Sequence, residues 1–430
     1  MYDHLPIPLR MKPNIMVLTF ANISDCRCIA LKILLSSFFA LPQIGGLYTY
    51  MEQLKTGLEG YGHSVDIFCR KPETNDFYVL EERGPLLNQN YLHQVIESHL
   101  IRSYINECPQ MPLWILNQET ERYKFEAAAA HLDLSQYDVI HTQDILSTYC
   151  FSRVKPEDIP LFATLHASLS HEWMERNYFA KNNSIYHHYA VLLEHLGAAS
   201  ADRTIVPSKW LKNLFIEHFH VPSDNITVIP NAIDTGWFHE RLGVSKDIHR
   251  PKKKMVFTCT SRLTVEKGIP CLLEACAKLK QKRKDWVLWL VGDGPLRSDL
   301  EKQARELGIQ HHIKFWGYRN DIPDILRNTD IFLFGSLIET FCYSILEAQL
   351  AGVPVIAPET GGISELVTHE VTGLFYPVGS SEGLYENILR LLADHELRKK
   401  MVRNARHRAL TKFSASVQTK RIIELYTLYL

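Results

Sequence analysis

Two doubly wound α/β domains facing a central cleft are what this sequence predicts, on three observations. The chain has 430 residues, more than one ordinary hydrophobic core accommodates. Short apolar runs of strand length alternate with amphipathic segments of helical spacing, the pattern of parallel strands joined by right-handed crossovers. The series breaks once, at Arg250-Pro251-Lys252-Lys253-Lys254, and then starts again.

Residues 1–30 stand before the first series and are expected to form a loosely attached, poorly ordered extension, with Met1 to Arg10 interrupted by prolines. The apolar run Cys28–Leu41 follows Asp25 and shows no small-residue cleavage site, which argues against a secretory leader, and it is shorter than a membrane span. The first buried strand is expected over Leu31–Ser36. Later strands are expected at Val65–Phe68, Val139–Thr142, Leu161–Leu165 and Arg203–Pro207, and a helix over Tyr48–Gly60. These make a first domain over 31–240. The second series, over 241–410, places strands at Met255–Ser261, Val287–Gly292, Ile313–Phe315, Ile331–Phe334, Val353–Ala357 and Gly373–Tyr376. Residues 411–430 hold a final amphipathic helix, from Ala415 to Leu430, expected to cross back towards the first domain.

Composition narrows the function classes. Hydrophobic residues make 46% and charged residues 22% of the chain, as in soluble globular proteins. A formal net charge of −1 and the lack of a dense basic block argue against nucleic acid as a partner. The nine cysteines are scattered, with no Cys-x-x-Cys pair, so neither a zinc site nor a disulfide framework is expected. Reduced thiols fit a cytoplasmic protein. The segment Lys209–Phe215 could lie at a membrane surface as a peripheral contact or pack as an ordinary helix.

In open parallel sheets ligands sit beyond the C-terminal strand ends, so chemistry is sought in loops that follow strands. Glu339 and Glu347 stand eight positions apart across a loop-to-helix junction, Glu339 in the loop and Glu347 about one turn inside the helix. Between them, at Phe341-Cys342-Tyr343, the helix N-terminus offers unpaired N–H groups and a positive dipole end, a seat for phosphate. Carboxylates on both sides of such a seat suit a sugar nucleotide; the plainer alternative is two solvated surface residues. Gly45-Gly46 precedes the first helix, where a backbone can approach a phosphate or sugar closely or simply make a tight turn. Arg262 and Lys267 flank one strand-end loop, where two fixed cations could offset charge on a departing diphosphate without a metal. No Asp-x-Asp pair accompanies them, so no metal site is expected. Gly292 and the Tyr318-Arg319 pair follow two further strands and could line a nucleotide pocket. His166, just beyond a buried strand, is the best-placed cleft histidine.

In this order the pieces resemble the retaining GT-B glycosyltransferases of the glycosyl transferases group 1 type. The resemblance runs over roughly residues 32–425 and rests on Gly45-Gly46, Thr164-Leu165-His166, Val206-Pro207-Ser208, Ile229-Pro230-Asn231-Ala232-Ile233-Asp234, Arg262 with Lys267-Gly268, Val291-Gly292-Asp293-Gly294-Pro295, and Glu339 to Glu347. Cys342 stands where many such proteins carry Gly. The resemblance implies a GT-B fold of two Rossmann-like domains and transfer, with retention, from a nucleoside diphosphate sugar, taken as UDP-linked. That sugar would serve as co-substrate, with no cofactor and no metal, and the acceptor would be a sugar, lipid-linked or other hydroxyl. It further implies that Arg262 and Lys267, with N–H groups near Phe341, Cys342, Tyr343 and Gly46, hold the diphosphate. Glu339 would hold the sugar, Glu347 the ribose, the main chain near Tyr318 and Arg319 the base, and His166 would line the reacting centre. A sugar-nucleotide epimerase of the same fold and a non-catalytic sugar-nucleotide-binding subunit are the alternatives.

Overall fold

The computed structural model describes residues 30–42, 46–80, 87–96, 98–99, 102–108, 110–170, 184–245 and 247–430. The reading of 1–30 as an extension therefore lies outside the described residues, apart from Ala30, and Gly45 also lies outside them.

The first domain is built on a seven-stranded sheet. Its strands are β1 (Lys32–Ala40), β2 (Ser64–Arg70), β3 (Phe77–Val79), β4 (Val139–Thr142), β5 (Leu161–Thr164), β6 (Arg203–Val206) and β7 (Ile226–Val228). They lie in the order β3-β2-β1-β4-β5-β6-β7, all parallel except the β2–β3 pair. Central strands are apolar without alternation because helices cover both faces: Ile33, Leu34 and Leu35 of β1 are all fully buried. Two strands escaped the sequence reading. β3 and β7 have three residues each, too short for a periodic signal. β1 also runs four residues past the expected Ser36.

The second domain holds six parallel strands: β8 (Met255–Thr260), β9 (Trp286–Val291), β10 (Ile313–Gly317), β11 (Ile331–Leu333), β12 (Val355–Pro358) and β13 (Leu374–Tyr376). Their order is β10-β9-β8-β11-β12-β13. In both sheets the strand order reverses beside the first strand of the series, so two crevices open at the C-terminal strand ends. Between Ile229 and Phe238 the chain passes from one apolar core to the next. Ile229 packs with the first sheet, whereas Ile233 and Phe238 already pack with Phe332, Leu346 and Ala409. Asp234 makes that turn possible by capping the helix Thr235–Glu240, accepting from the N–H groups of Gly236 and Trp237.

The last helix, Ala415–Thr427, returns to the first domain. Its Ile422, Leu425 and Tyr426 share one apolar layer with Ile33, Leu35, Met51 and Leu54. It lies so close to the helix Gly46–Gly60 that a Cβ on Gly57 would stand 2.3 Å from Thr419 Oγ1. The segment from Lys209 lies in the helix Lys209–Phe219, which buries Leu211, Phe215 and Phe219 in the core, as an ordinary packed helix does. No helix among the described residues is long and apolar enough to cross a membrane.

Candidate active site

Contacts between the two domains, Thr340 to His166 and Trp210 to Glu365, bring the strand-end loops of both sheets together. After β8 the chain makes a tight loop through Arg262 into the short 3-10 turn Val265–Lys267. Gly268 follows at φ +56°, and a Cβ there would meet the Gly335 carbonyl oxygen at 2.1 Å. This close approach joins the β8 and β11 loops and carries Lys267 to Glu339, with Nζ 2.6 Å from Oε1. Both side chains are largely covered, at 16% and 13% exposure, so Glu339 is not a solvated loop residue. Ser336 Oγ donates to the same oxygen at 3.0 Å. Burial alone would lower the Lys267 ammonium, but the Glu339 carboxylate outweighs it and holds the lysine above its ordinary value. Arg262 behaves differently. It is 65% exposed at the rim and pairs with Glu266 at 3.3 Å.

Glu339 is fixed from behind by a glycine pair that the sequence reading passed over. Gly362 N–H donates to the Glu339 carbonyl at 2.7 Å. Gly361, at φ +52°, passes so near that a Cβ would stand 2.1 Å from the same oxygen. A Gly-Gly step set off by two residues from the end of an apolar strand was the available signal. Four residues beyond Glu339 the helix Tyr343–Leu350 begins, with no side chain among the described residues capping its end at Cys342, a helix N-terminus that suits an anion. Phe341 and Cys342 are buried supports of this turn. Glu347 lies in the second turn of the helix, and burial pushes its carboxyl up to about 7.

The first domain supplies the opposite wall. Gly46 opens the helix Gly46–Gly60, and a Cβ on it would lie 3.8 Å from the Tyr343 ring. His166, two residues past β5, sets its ring against Tyr50 at a centroid distance of 4.5 Å. Gln143 Nε2 reaches the His141 carbonyl at 3.4 Å, which turns Oε1 towards His166 Nε2, 3.3 Å away. Burial pushes His166 down to about 4, so the ring is neutral at pH 7. Its backbone carbonyl accepts Thr340 Oγ1–H at 2.6 Å. This hydrogen bond joins the two domains through the residue next to Glu339. Below it, fully buried His141 bridges Tyr426 OH at 2.6 Å and Thr164 Oγ1 at 2.7 Å, tying the last helix to the strand end that carries His166. Spacing in sequence gave no hint of Gln143, Thr340 or this buried chain.

The remaining expected residues lie apart from this cluster. Gly292, at φ +128°, hydrogen-bonds Gly317 across the β9–β10 strand ends at 2.8 Å, and a Cβ would lie 2.0 Å from the Ser261 carbonyl. Its contact is with the scaffold of the β8 loop. Tyr318 and Arg319 line an open cavity of about 660 Å³ together with Arg241, Ser245, Asp247 and Asp321. Arg319 is held there by a two-pronged contact with Asp321, at 2.8 Å and 2.5 Å. Among the described residues no group of three or more His, Cys, Asp or Glu side chains is arranged to hold a metal ion.

Comparison with known proteins shows what the chain is similar to. Residues 244–408 match the family described as Glycosyl transferases group 1, and residues 44–237 match Glycosyltransferase Family 4. The fold is GT-B: the sucrose-phosphate synthase of Thermosynechococcus elongatus superposes with a TM-score of 0.68, at 22% identity, over 93% of this chain and 98% of that one. Anabaena HepE in complex with UDP superposes with a TM-score of 0.65, at 22% identity, over 93% of this chain and all of that one. In sequence the chain is 25% identical, over 89% of its length, to an uncharacterized glycosyltransferase of Methanocaldococcus jannaschii, of which 94% is covered. It is 29% identical over 54% of its length to a UDP-Gal:alpha-D-GlcNAc-diphosphoundecaprenol alpha-1,3-galactosyltransferase of Escherichia coli, with 62% of that protein covered.

Proposed function

We propose that the protein is a retaining, metal-independent glycosyltransferase that moves a sugar from a UDP-linked donor to a hydroxyl acceptor in glycan, glycolipid or cell-surface polysaccharide synthesis. The observation that carries this reading is the buried Lys267–Glu339 pair, 2.6 Å apart, at the uncapped start of the helix that bears Glu347. A cation, a row of open N–H groups and two carboxylates are the complement of a diphosphate with a sugar on one side and a ribose on the other. The UDP complexes known for Anabaena HepE, which shares the fold, support the choice of base, and the name of the E. coli relative supports a lipid-linked or sugar acceptor.

Each residue then has a physical task. Lys267 and the helix N–H groups stabilise the negative charge that grows on the leaving diphosphate, and Arg262 at the rim adds a second, more solvated cation. Glu339 holds hydroxyls of the sugar in transfer, and Glu347 holds the ribose. His166 is neutral at pH 7, and its ring shapes the wall beside the reacting carbon. The acceptor proton goes to a leaving diphosphate oxygen on the same face, which is why attack there retains configuration. Contacts across the cleft, Thr340 to His166 and Glu365 Oε1 to Trp210 N–H at 3.0 Å, keep the two walls together and water out.

The test is to incubate the protein with UDP- and GDP-linked sugars, with and without hydroxyl acceptors, and to follow nucleoside diphosphate release and product anomeric configuration by NMR. Acceptor-dependent release of UDP with retained configuration is expected. An inverted product removes retention. Free sugar epimer formed without acceptor identifies an epimerase, and donor binding without release identifies a non-catalytic subunit.

A further inference from the structure

The chain that follows His166 is held from behind by a carboxylate with no part in the chemistry above. Glu194 lies on the helix Ile185–Ser200 with none of its surface exposed. Its Oε1 accepts two hydrogen bonds, from Ser168 Oγ–H and from the Ser170 backbone N–H, both at 2.8 Å. The two serine hydroxyls stand 3.0 Å apart. Oε2 is buried with no hydrogen-bond partner among the described residues. Ser168 and Ser170 are the second and fourth residues after His166, so this carboxyl grips the segment as it leaves the cleft wall.

The helix that bears the grip is closely packed at its base. One turn further along, Gly197 lies so close to the neighbouring helix Ile145–Val154 that a Cβ would stand 2.5 Å from the Ile145 carbonyl oxygen. Glu194 is thus carried by a helix packed backbone-close against its neighbour. Burial pushes its carboxyl up to about 7, against the opposing hydrogen bonds of Ser170 and Ser168. A buried carboxyl with one unpartnered oxygen is costly, and an apolar side chain would fill the space without that cost. On the other side Thr340 Oγ1 of the second domain holds the His166 carbonyl at 2.6 Å. The segment 166–170 is clasped from both domains.

We propose that Glu194 is a positioning residue of the transfer site: it fixes the backbone of 168–170, so that His166 stands in register with Thr340 and the donor-side carboxylates. The proposal rests on the glycosyltransferase reading given above. Because Glu194 lies in the first domain and the donor groups lie in the second, it acts on turnover and leaves donor binding alone.

The test compares wild type, Glu194→Gln, Glu194→Ala and Ser168→Ala in steady-state kinetics with UDP-sugar varied, together with NMR of the His166 ring in protein labelled at histidine with 15N. Gln keeps an oxygen for both hydrogen bonds, so Glu194→Gln should stay within about twofold of wild type in kcat and keep the His166 ring signal. Glu194→Ala should lower kcat by about tenfold with donor KM within about twofold, the split expected when an interaction serves the transition state alone, and should move the ring signal. If Glu194→Ala does not fold, Ser168→Ala carries the same expectation at about threefold in kcat. Unchanged kcat and an unchanged ring signal in the folded variants, or a loss of thermal stability alone, overturns the proposal. A wild-type protein that transfers no sugar defeats the functional reading; the ring signal then decides by itself whether Glu194 sets the position of His166.

Discussion

Replacing Glu347 by Gln removes a charge that the empty protein holds at a cost. Burial raises this carboxyl from its ordinary 4.5 to about 7. At ~1.36 kcal/mol for each tenfold change in proton affinity, the difference is roughly 3 kcal/mol, and the part of the side chain open to the cleft screens it to about 1–2 kcal/mol. The folded protein binds this proton more tightly than the unfolded chain does. The favourable contribution is therefore complete below pH 4.5 and is lost as pH rises through about 7. Glu347→Gln should accordingly be nearly neutral at pH 5 and should stabilise the empty protein by about 1–2 kcal/mol at pH 8, measured by urea unfolding. Donor binding should respond in the opposite sense. Ribose hydroxyls donate to the ionised carboxylate and favour it, so donor KM in the wild type should fall roughly tenfold between pH 6 and pH 8 as the ionised fraction climbs from about one tenth to nine tenths. In Glu347→Gln that dependence should flatten, and donor KM at pH 8 should rise by about tenfold, the loss of one charged hydrogen bond. A variant that keeps the wild-type pH dependence of KM, or that is destabilised at pH 8, refutes the reasoning.

Three further outcomes follow from the same cluster. Lys267→Ala should lower kcat by about a hundredfold or more. It should also cost about 1–3 kcal/mol in unfolding free energy by leaving Glu339 buried without its cation; wild-type turnover would remove Lys267 from the chemistry. Glu339→Gln should depress kcat and leave donor KM within a factor of about three, since the sugar it holds changes most in the transition state, and an equal loss in both parameters would contradict that division from Glu347. Activity should survive an excess of chelator, and complete loss restored by adding a divalent cation would show that Lys267 and the helix N–H groups do not suffice for the leaving group.

Much of the fold was legible because it is written locally. Buried parallel strands are short unbroken apolar runs, and the Arg250–Lys254 break separates the two series. β3 and β7, with three residues each, lie below the length at which periodicity can be read. Glu339 and Glu347 were legible as a pair because one loop-to-helix step spans them. The partner of Lys267 was not: it lies 72 residues away, and their meeting depends on the backbone contact between Gly268 and Gly335. The division between a rim Arg262 and a buried Lys267 was equally invisible, since both are cations in one loop and only packing tells them apart.

By itself, then, the sequence determined the alternation of strands and helices, the restart of the series and the residue types that suit a sugar nucleotide, because each depends on neighbours within about a dozen positions. Tertiary structure alone decided what depends on two distant segments touching: the Lys267–Glu339 pair, the Thr340–His166 bond between domains and the clasp of Glu194 on Ser168 and Ser170. It also decided protonation, because His166 at about 4 and Glu347 at about 7 depart from ordinary values through burial, and burial is set by everything packed around a side chain.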